Sequence, residues 1–182
     1  SPSSIVISKM MAQMVDEGCE FCFMEVSSHG VSQHRVSALE FTGGVFTNMS
    51  RDHINYHGTF KAYIEAKKGF FDMLPKSAFA LVNIDDKRGQ VMLQNTKAHQ
   101  YTYALKSMAD FKAKVLENSF TGLMLNMDGE EVHSLLIGEF SAYNLLAVYG
   151  TAMLLGEEKI EVLTELSKLQ TAEGRFDPIT NS

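Results

Sequence analysis

The chain has 182 residues, with 22 acidic against 16 basic side chains, a net charge of −6 and a pI near 5.5. That balance argues against a nucleic-acid binder, which carries a basic face, and no apolar run approaches the ~18 residues of a membrane-spanning helix. The length suits one domain with a sizeable core, and a hydrophobic fraction of 45% is ordinary for a globular protein. The first residues have neither the basic start nor the apolar core of a signal peptide, and the sparse cysteine usage fits a reducing cytoplasmic home.

Ile5 to Val15 has helical apolar spacing, and Asp16-Glu17-Gly18 ends it. Cys19 and Cys22 form a lone C-x-x-C. With no second pair it reads as two small residues leading into a strand, not as a redox or zinc motif. The run Phe21 to Val26 is apolar at nearly every position, which predicts a central strand covered on both faces. Its exit carries Glu25, Ser27, Ser28, His29 and Gly30, the pattern of a strand that ends at a ligand crevice. A second polar block, Thr47-Asn48-Met49-Ser50-Arg51-Asp52-His53, follows the short apolar run Val45-Phe46, so the two strand ends are expected to share one site.

Thr59 is placed to cap a helix running to about Leu74, with Pro75 beyond it. Phe79 to Val82 reads as a further strand, and Asp85 or Asp86 as the start of another helix. From about 99 to 136 the pattern alternates and contains the turn Met127-Asp128-Gly129-Glu130, the signal of antiparallel hairpins. A helix from Glu139 places Ala142, Leu145, Leu146 and Tyr149 on one face, and a last helix spans about 159–169. These elements predict an α/β fold, a Rossmann-like, mainly parallel sheet flanked by helices with a small antiparallel sheet.

Glu25-Val26-Ser27-Ser28-His29-Gly30, Thr47-Asn48, Asp52-His53 with Tyr56-His57-Gly58, and Ala62-Tyr63-Ile64-Glu65-Ala66-Lys67 resemble, in this order and spacing, the central domain of the Mur ligase family. Gly138-Glu139-Phe140 with Asn144, and the terminal Gly174-Arg175, extend the resemblance over essentially the whole chain. It implies residues 1–182 of a central ATPase-type domain, with an amino-terminal UDP-binding domain, a Walker A loop and a carboxyl-terminal domain outside the chain. The best match is the family branch that adds the third amino acid to UDP-MurNAc-L-Ala-D-Glu in bacterial peptidoglycan synthesis. In that branch ATP converts a substrate carboxylate to an acyl phosphate, which an amine then displaces. The resemblance therefore implies ATP as co-substrate, Mg²⁺ as cofactor, UDP-MurNAc-dipeptide as substrate and a monomer without nucleic-acid or membrane partners.

Residue by residue, the resemblance makes Glu25, His53 and Lys67 the catalytic and metal-holding set. Lys67 matches a lysine that carbon dioxide carbamylates into a carboxylate-like ligand. Only a neutral amine reacts, so its surroundings must depress its pKa; by themselves Lys67 and Lys68 would read as a solvated helix face. Ser27, Gln33 and Arg35 match positions that hold the UDP-MurNAc-dipeptide, and Ser1 falls on the second of two threonines that do so. Asn48, Asn144 and Arg175 match nucleotide contacts, with Asn144 as the reader of adenine.

Two positions depart from the family pattern, with Asn55 in place of an aspartate and Ser141 in place of an asparagine. No Gly-x-x-x-x-Gly-Lys-Ser/Thr occurs in the 182 residues, so this polypeptide by itself is expected to be inactive. A non-catalytic nucleotide- or metal-binding module is the alternative, and a carbamyl-lysine metal-dependent hydrolase a less favoured one.

Overall fold

The computed structural model describes residues 2–49 and 57–169. In chain order the elements are α1 (Ser4–Asp16), α2 (Ser28–Ser32), β1 (Gly43–Phe46), α3 (Phe60–Asp72), β2 (Phe79–Asn83), α4 (Gly89–Met92), β3 (His99–Ala104), β4 (Phe111–Ser119), β5 (Gly122–Met127), β6 (Glu130–Ser134), α5 (Glu139–Leu155) and α6 (Lys159–Ser167). The six strands lie in one sheet in sequence order. The fold is α/β with a mixed sheet. β3 and β4 pair in parallel through Tyr103–Phe111 and Ala104–Lys112, while β4–β5 and β5–β6 are antiparallel. The expected hairpin region is thus continuous with the rest of the sheet.

The chain divides into two compact units, one of residues 1–44, 49–80 and 90–100, the other of residues 45–48, 81–89 and 101–182. In the first unit the helices begin where short polar side chains cap them. Ser3 Oγ accepts from the Val6 amide, Ser27 Oγ from Gly30 and Thr59 Oγ1 from Ala62. Each satisfies one amide that the first turn leaves open. Phe70 stacks edge-on against Phe41 and Phe71 at centroid separations of 5.1 and 5.3 Å, and Leu74, Ala78 and Phe79 complete the core there. Gly43 and Gly44 let β1 run close to that cluster. A Cβ on Gly43 would stand 2.2 Å from the Phe79 ring.

In the second unit α5 packs on β4 and β5, and α6 on β6 and α5. Ala142, Leu145, Leu146 and Tyr149 are all buried, as the helical spacing predicts. The β5–β6 turn places Asp128 at φ 51° and Gly129 at φ 89°. Asp128 tolerates that left-handed backbone because its side chain is tied to Tyr149 at 3.2 Å and Lys159 at 3.5 Å.

Two expectations are corrected. Phe21–Val26 forms neither a strand nor a buried segment; Phe21 is 51% and Phe23 76% exposed, and Cys19 and Cys22 are exposed free thiols. Apolar composition supplies a strand's burial term but not its hydrogen-bond ladder, and this stretch has no ladder. The strand buried at every position is β2. Second, Asp85 and Asp86 do not start a helix. α4 begins only at Gly89; Asp85 is drawn away to the Leu105 amide, and Asp86 closes the preceding turn by accepting from the Arg88 amide at 2.9 Å.

Candidate functional site

The first unit collects five of the expected site residues. Glu25 and Ser27 lie on the irregular segment leading into α2, and Gln33 and Arg35 leave that helix. His34, at φ 55°, turns the chain in the left-handed region. The His34 amide then donates to Val31 O at 3.0 Å and the Arg35 amide to Gly30 O at 2.9 Å. This is a Schellman closure, and it fixes the direction in which Arg35 departs. Glu25, Ser27 and Arg35 line one cavity of about 250 Å³ whose remaining wall is apolar, including Met10, Met11 and Met14 of α1. A carboxylate, a hydroxyl and a guanidinium on an apolar wall suit a ligand with both polar and hydrophobic parts.

Lys67 sits on α3, which packs against α2. Val31 lies 3.6 Å from where a Cβ on Gly69 would be. Burial holds Lys67 below the usual lysine pKa, and the nearby Glu25 carboxylate works in the opposite direction. Glu25 and Lys67 are therefore within electrostatic reach of each other. The Lys67 Nζ stands 5.6 Å from the centre of the Tyr63 ring, one helical turn back. Tyr63 stacks on His57 at 5.4 Å, His57 Nε2 pairs with Ser28 Oγ at 2.9 Å, and the His29 ring lies 5.5 Å from His57. This aromatic and imidazole shelf under Lys67 escaped the sequence reading. The i, i+4 spacing of Tyr63 and Lys67 was the one available signal for it.

The adjacent lysine behaves differently. Lys68 is 4% exposed, and its Nζ pairs with Asp72 Oδ2 at 2.6 Å. With the Asn95 amide turned so that its oxygen faces Lys68, that oxygen accepts at 2.6 Å as well.

Asn48 and Asn144 belong to the second unit, both exposed, Asn48 just after β1 and Asn144 on α5. Ser141 is a buried helix residue whose Oγ donates to Ile137 O at 2.7 Å, a structural role for that departure from the family pattern. Ser1, His53, Asn55 and Arg175 lie outside the described residues. Among the described residues no three His, Cys, Asp or Glu side chains gather into a metal-binding group, and no helix is long and apolar enough to cross a membrane.

Residues 1–152 match the family described as the Mur ligase middle domain. The chain is 55% identical over 179 residues to the UDP-N-acetylmuramoyl-L-alanyl-D-glutamate–2,6-diaminopimelate ligase of Phocaeicola vulgatus, covering 98% of this chain and 37% of that protein. It is 36% identical to the ligase of the same name from Caldanaerobacter subterraneus, over 98% of this chain and 37% of the relative. A solved structure titled as a ligase of that name superposes with a TM-score of 0.87 at 30% identity, over 96% of this chain and 38% of that one. MurF from Acinetobacter baumannii shares the fold, with a TM-score of 0.68 at 18% identity, over 75% of this chain and 31% of that one. The chain thus spans a little over a third of the length of the curated relatives it matches. Family match, fold and the order of the Glu25, Ser27, Arg35 and Lys67 motifs agree, and the chain belongs to the Mur ligase family, of which it carries the middle domain.

Proposed function

We propose that this domain is the ATP-using centre of a cytoplasmic, monomeric ligase that joins a third amino acid to UDP-MurNAc-L-Ala-D-Glu in peptidoglycan synthesis. The observation that carries the reading is the 55% identity, over 98% of this chain, to a ligase named for that substrate and for 2,6-diaminopimelate. Diaminopimelate is accordingly the proposed amine. The UDP-binding domain, the Walker A loop and the amine-receiving domain belong, in this reading, to the rest of the ligase.

Within the domain, Arg35 offers a two-pronged contact to a carboxylate or phosphate of the sugar-nucleotide dipeptide. Gln33 adds directional hydrogen bonds, and Ser27, whose oxygen already caps α2, adds its O–H. Lys67 has the property its proposed modification needs, since a desolvated amine is neutral more of the time and only the neutral amine attacks carbon dioxide. The new N–C bond and the loss of a proton leave a carbamate anion at that position. Unmodified, Lys67 would repel a cation. As a carbamate it joins Glu25 in a set of hard oxygen donors that fits magnesium, with His53 as the proposed third ligand. Magnesium, when bound, would neutralise phosphate charge. The work left to the protein is to hold the substrate carboxylate in line with the γ-phosphate and to exclude water from the acyl phosphate until the amine displaces it.

The test is phosphate release by the full-length ligase with UDP-MurNAc-L-Ala-D-Glu, ATP and diaminopimelate. Release that needs all three, and that Lys67→Ala abolishes, supports the reading. Release independent of the dipeptide, or unaffected by Lys67→Ala, overturns it.

A further inference from the structure

Asn83 is 5% exposed at the end of β2, and both ends of its amide are engaged. Its Nδ2 donates to Thr47 O at 3.0 Å and its Oδ1 accepts from the Asp85 amide at 3.0 Å. Asp85 continues the chain of contacts. Its Oδ2 accepts from the Leu105 and Lys106 amides and from the Tyr143 hydroxyl, each at 2.9 Å, and its Oδ1 from the Ser107 amide at 2.9 Å. One carboxylate thus closes three successive amides of the β3–β4 loop and one side chain of α5. The turn that carries it is tight, because a Cβ on Gly89 would stand 2.1 Å from Asn83 O.

The two ends of this chain of contacts are Thr47 and Tyr143. Each immediately precedes one of the two asparagines assigned above to the nucleotide, Asn48 and Asn144. All of these residues lie in the second unit. We infer that Asn83 and Asp85 are positioning residues for ATP, holding Asn48 and Asn144 at a set separation through Thr47 and Tyr143. The inference rests on the nucleotide reading of those two asparagines. Asp85 suits the role because an ionised carboxylate accepts several hydrogen bonds at once and makes each stronger than a neutral acceptor would. Burial raises its pKa, but the donors from Ser107, Lys106, Tyr143 and Leu105 outweigh that and bring it down to about 2, so it stays ionised in use.

The experiment compares Tyr143→Phe, Asp85→Asn and Asn144→Ala in the full-length ligase. ATP dissociation constants come from calorimetry, KM and kcat from phosphate release, and amide exchange at 105–107 from hydrogen–deuterium exchange. Tyr143→Phe removes one link and no packing. It should raise KM and Kd for ATP by roughly threefold to tenfold with kcat moved much less. Asp85→Asn should raise them further and speed exchange at 105–107. If Asp85→Asn does not fold, Tyr143→Phe carries the test. Unchanged ATP affinity in Tyr143→Phe and Asp85→Asn, beside a loss in Asn144→Ala, overturns the positioning role and leaves the nucleotide site standing. Unchanged affinity in Asn144→Ala overturns the nucleotide assignment and the positioning role with it.

Discussion

The Nζ of Lys68 lies 2.6 Å from Asp72 Oδ2, and that pairing separates two lysines that the sequence presents side by side. Lys68 is held as an ion-pair partner inside the first unit. Lys67 instead has its pKa lowered by burial and its Nζ 5.6 Å from the centre of the Tyr63 ring.

In ¹³C-bicarbonate, Lys67 should therefore be the carbamylated residue. A carbamate carbon signal near neutral to mildly alkaline pH should vanish in Lys67→Ala and persist in Lys68→Met. Because the folded pKa is lowered, the folded chain binds fewer protons than the unfolded one between that value and about 10.4, so Lys67's burden on stability is relieved as pH rises through the window. A signal retained in Lys67→Ala would reassign the modification.

Breaking the Lys68 pair from one side should cost more than removing both partners. Lys68→Ala takes the counter-charge from Asp72 Oδ2, beside an Oδ1 that already has no partner among the described residues, and should lower stability by about 2 kcal/mol, below the cost at a fully buried pair since Asp72 is one-third exposed. Lys68→Met with Asp72→Leu should recover part of that loss. Urea unfolding of Lys68→Met, Asp72→Leu and the double variant measures it, and additive losses would show that the pair is not coupled.

At the alkaline end, Tyr103, Tyr143 and Tyr149 should titrate late. Burial is the leading cause for each. It pushes Tyr149 up to about 12 with help from Asp128, and raises Tyr103 and Tyr143 as well. A raised tyrosine pKa means the unfolded chain gives up its proton first. The stability these residues contribute is complete below about pH 10 and is lost as pH climbs through 10 to 12. Absorbance at 295 nm should show a delayed step, and Tyr149→Phe should flatten the fall in melting temperature over that range.

The 182-residue polypeptide expressed by itself should bind ATP weakly or not at all. Its sequence contains no Walker A loop, whose backbone N–H groups and lysine supply most of the phosphate contacts at such sites. Calorimetry with ATP and magnesium checks this, and micromolar binding would place the phosphate site within these residues.

The sequence by itself determined what depends on near neighbours. The apolar spacing of Ile5 to Val15 announces α1, and Thr59 announces α3 because a cap acts within three residues. The spacing of Ala142, Leu145, Leu146 and Tyr149 sets the buried face of α5 because helical period is local. Asp128-Gly129 marks its turn because few residues accept φ above zero. The order of motifs around Glu25, Ser27, Arg35 and Lys67 was legible for the same reason, and it pointed to the family. What only the tertiary structure decided depends on distant partners. Phe21–Val26 has strand composition, but a strand exists only where another backbone completes its ladder, and β2 holds the position buried on both faces. Asp85 reads as a helix cap beside its neighbours, yet its strongest donors come from 20 to 58 residues away. Lys67 and Lys68 differ by one position in sequence, and only the packing of α3 decides which stands half-buried near Glu25 and which is fully buried against Asp72.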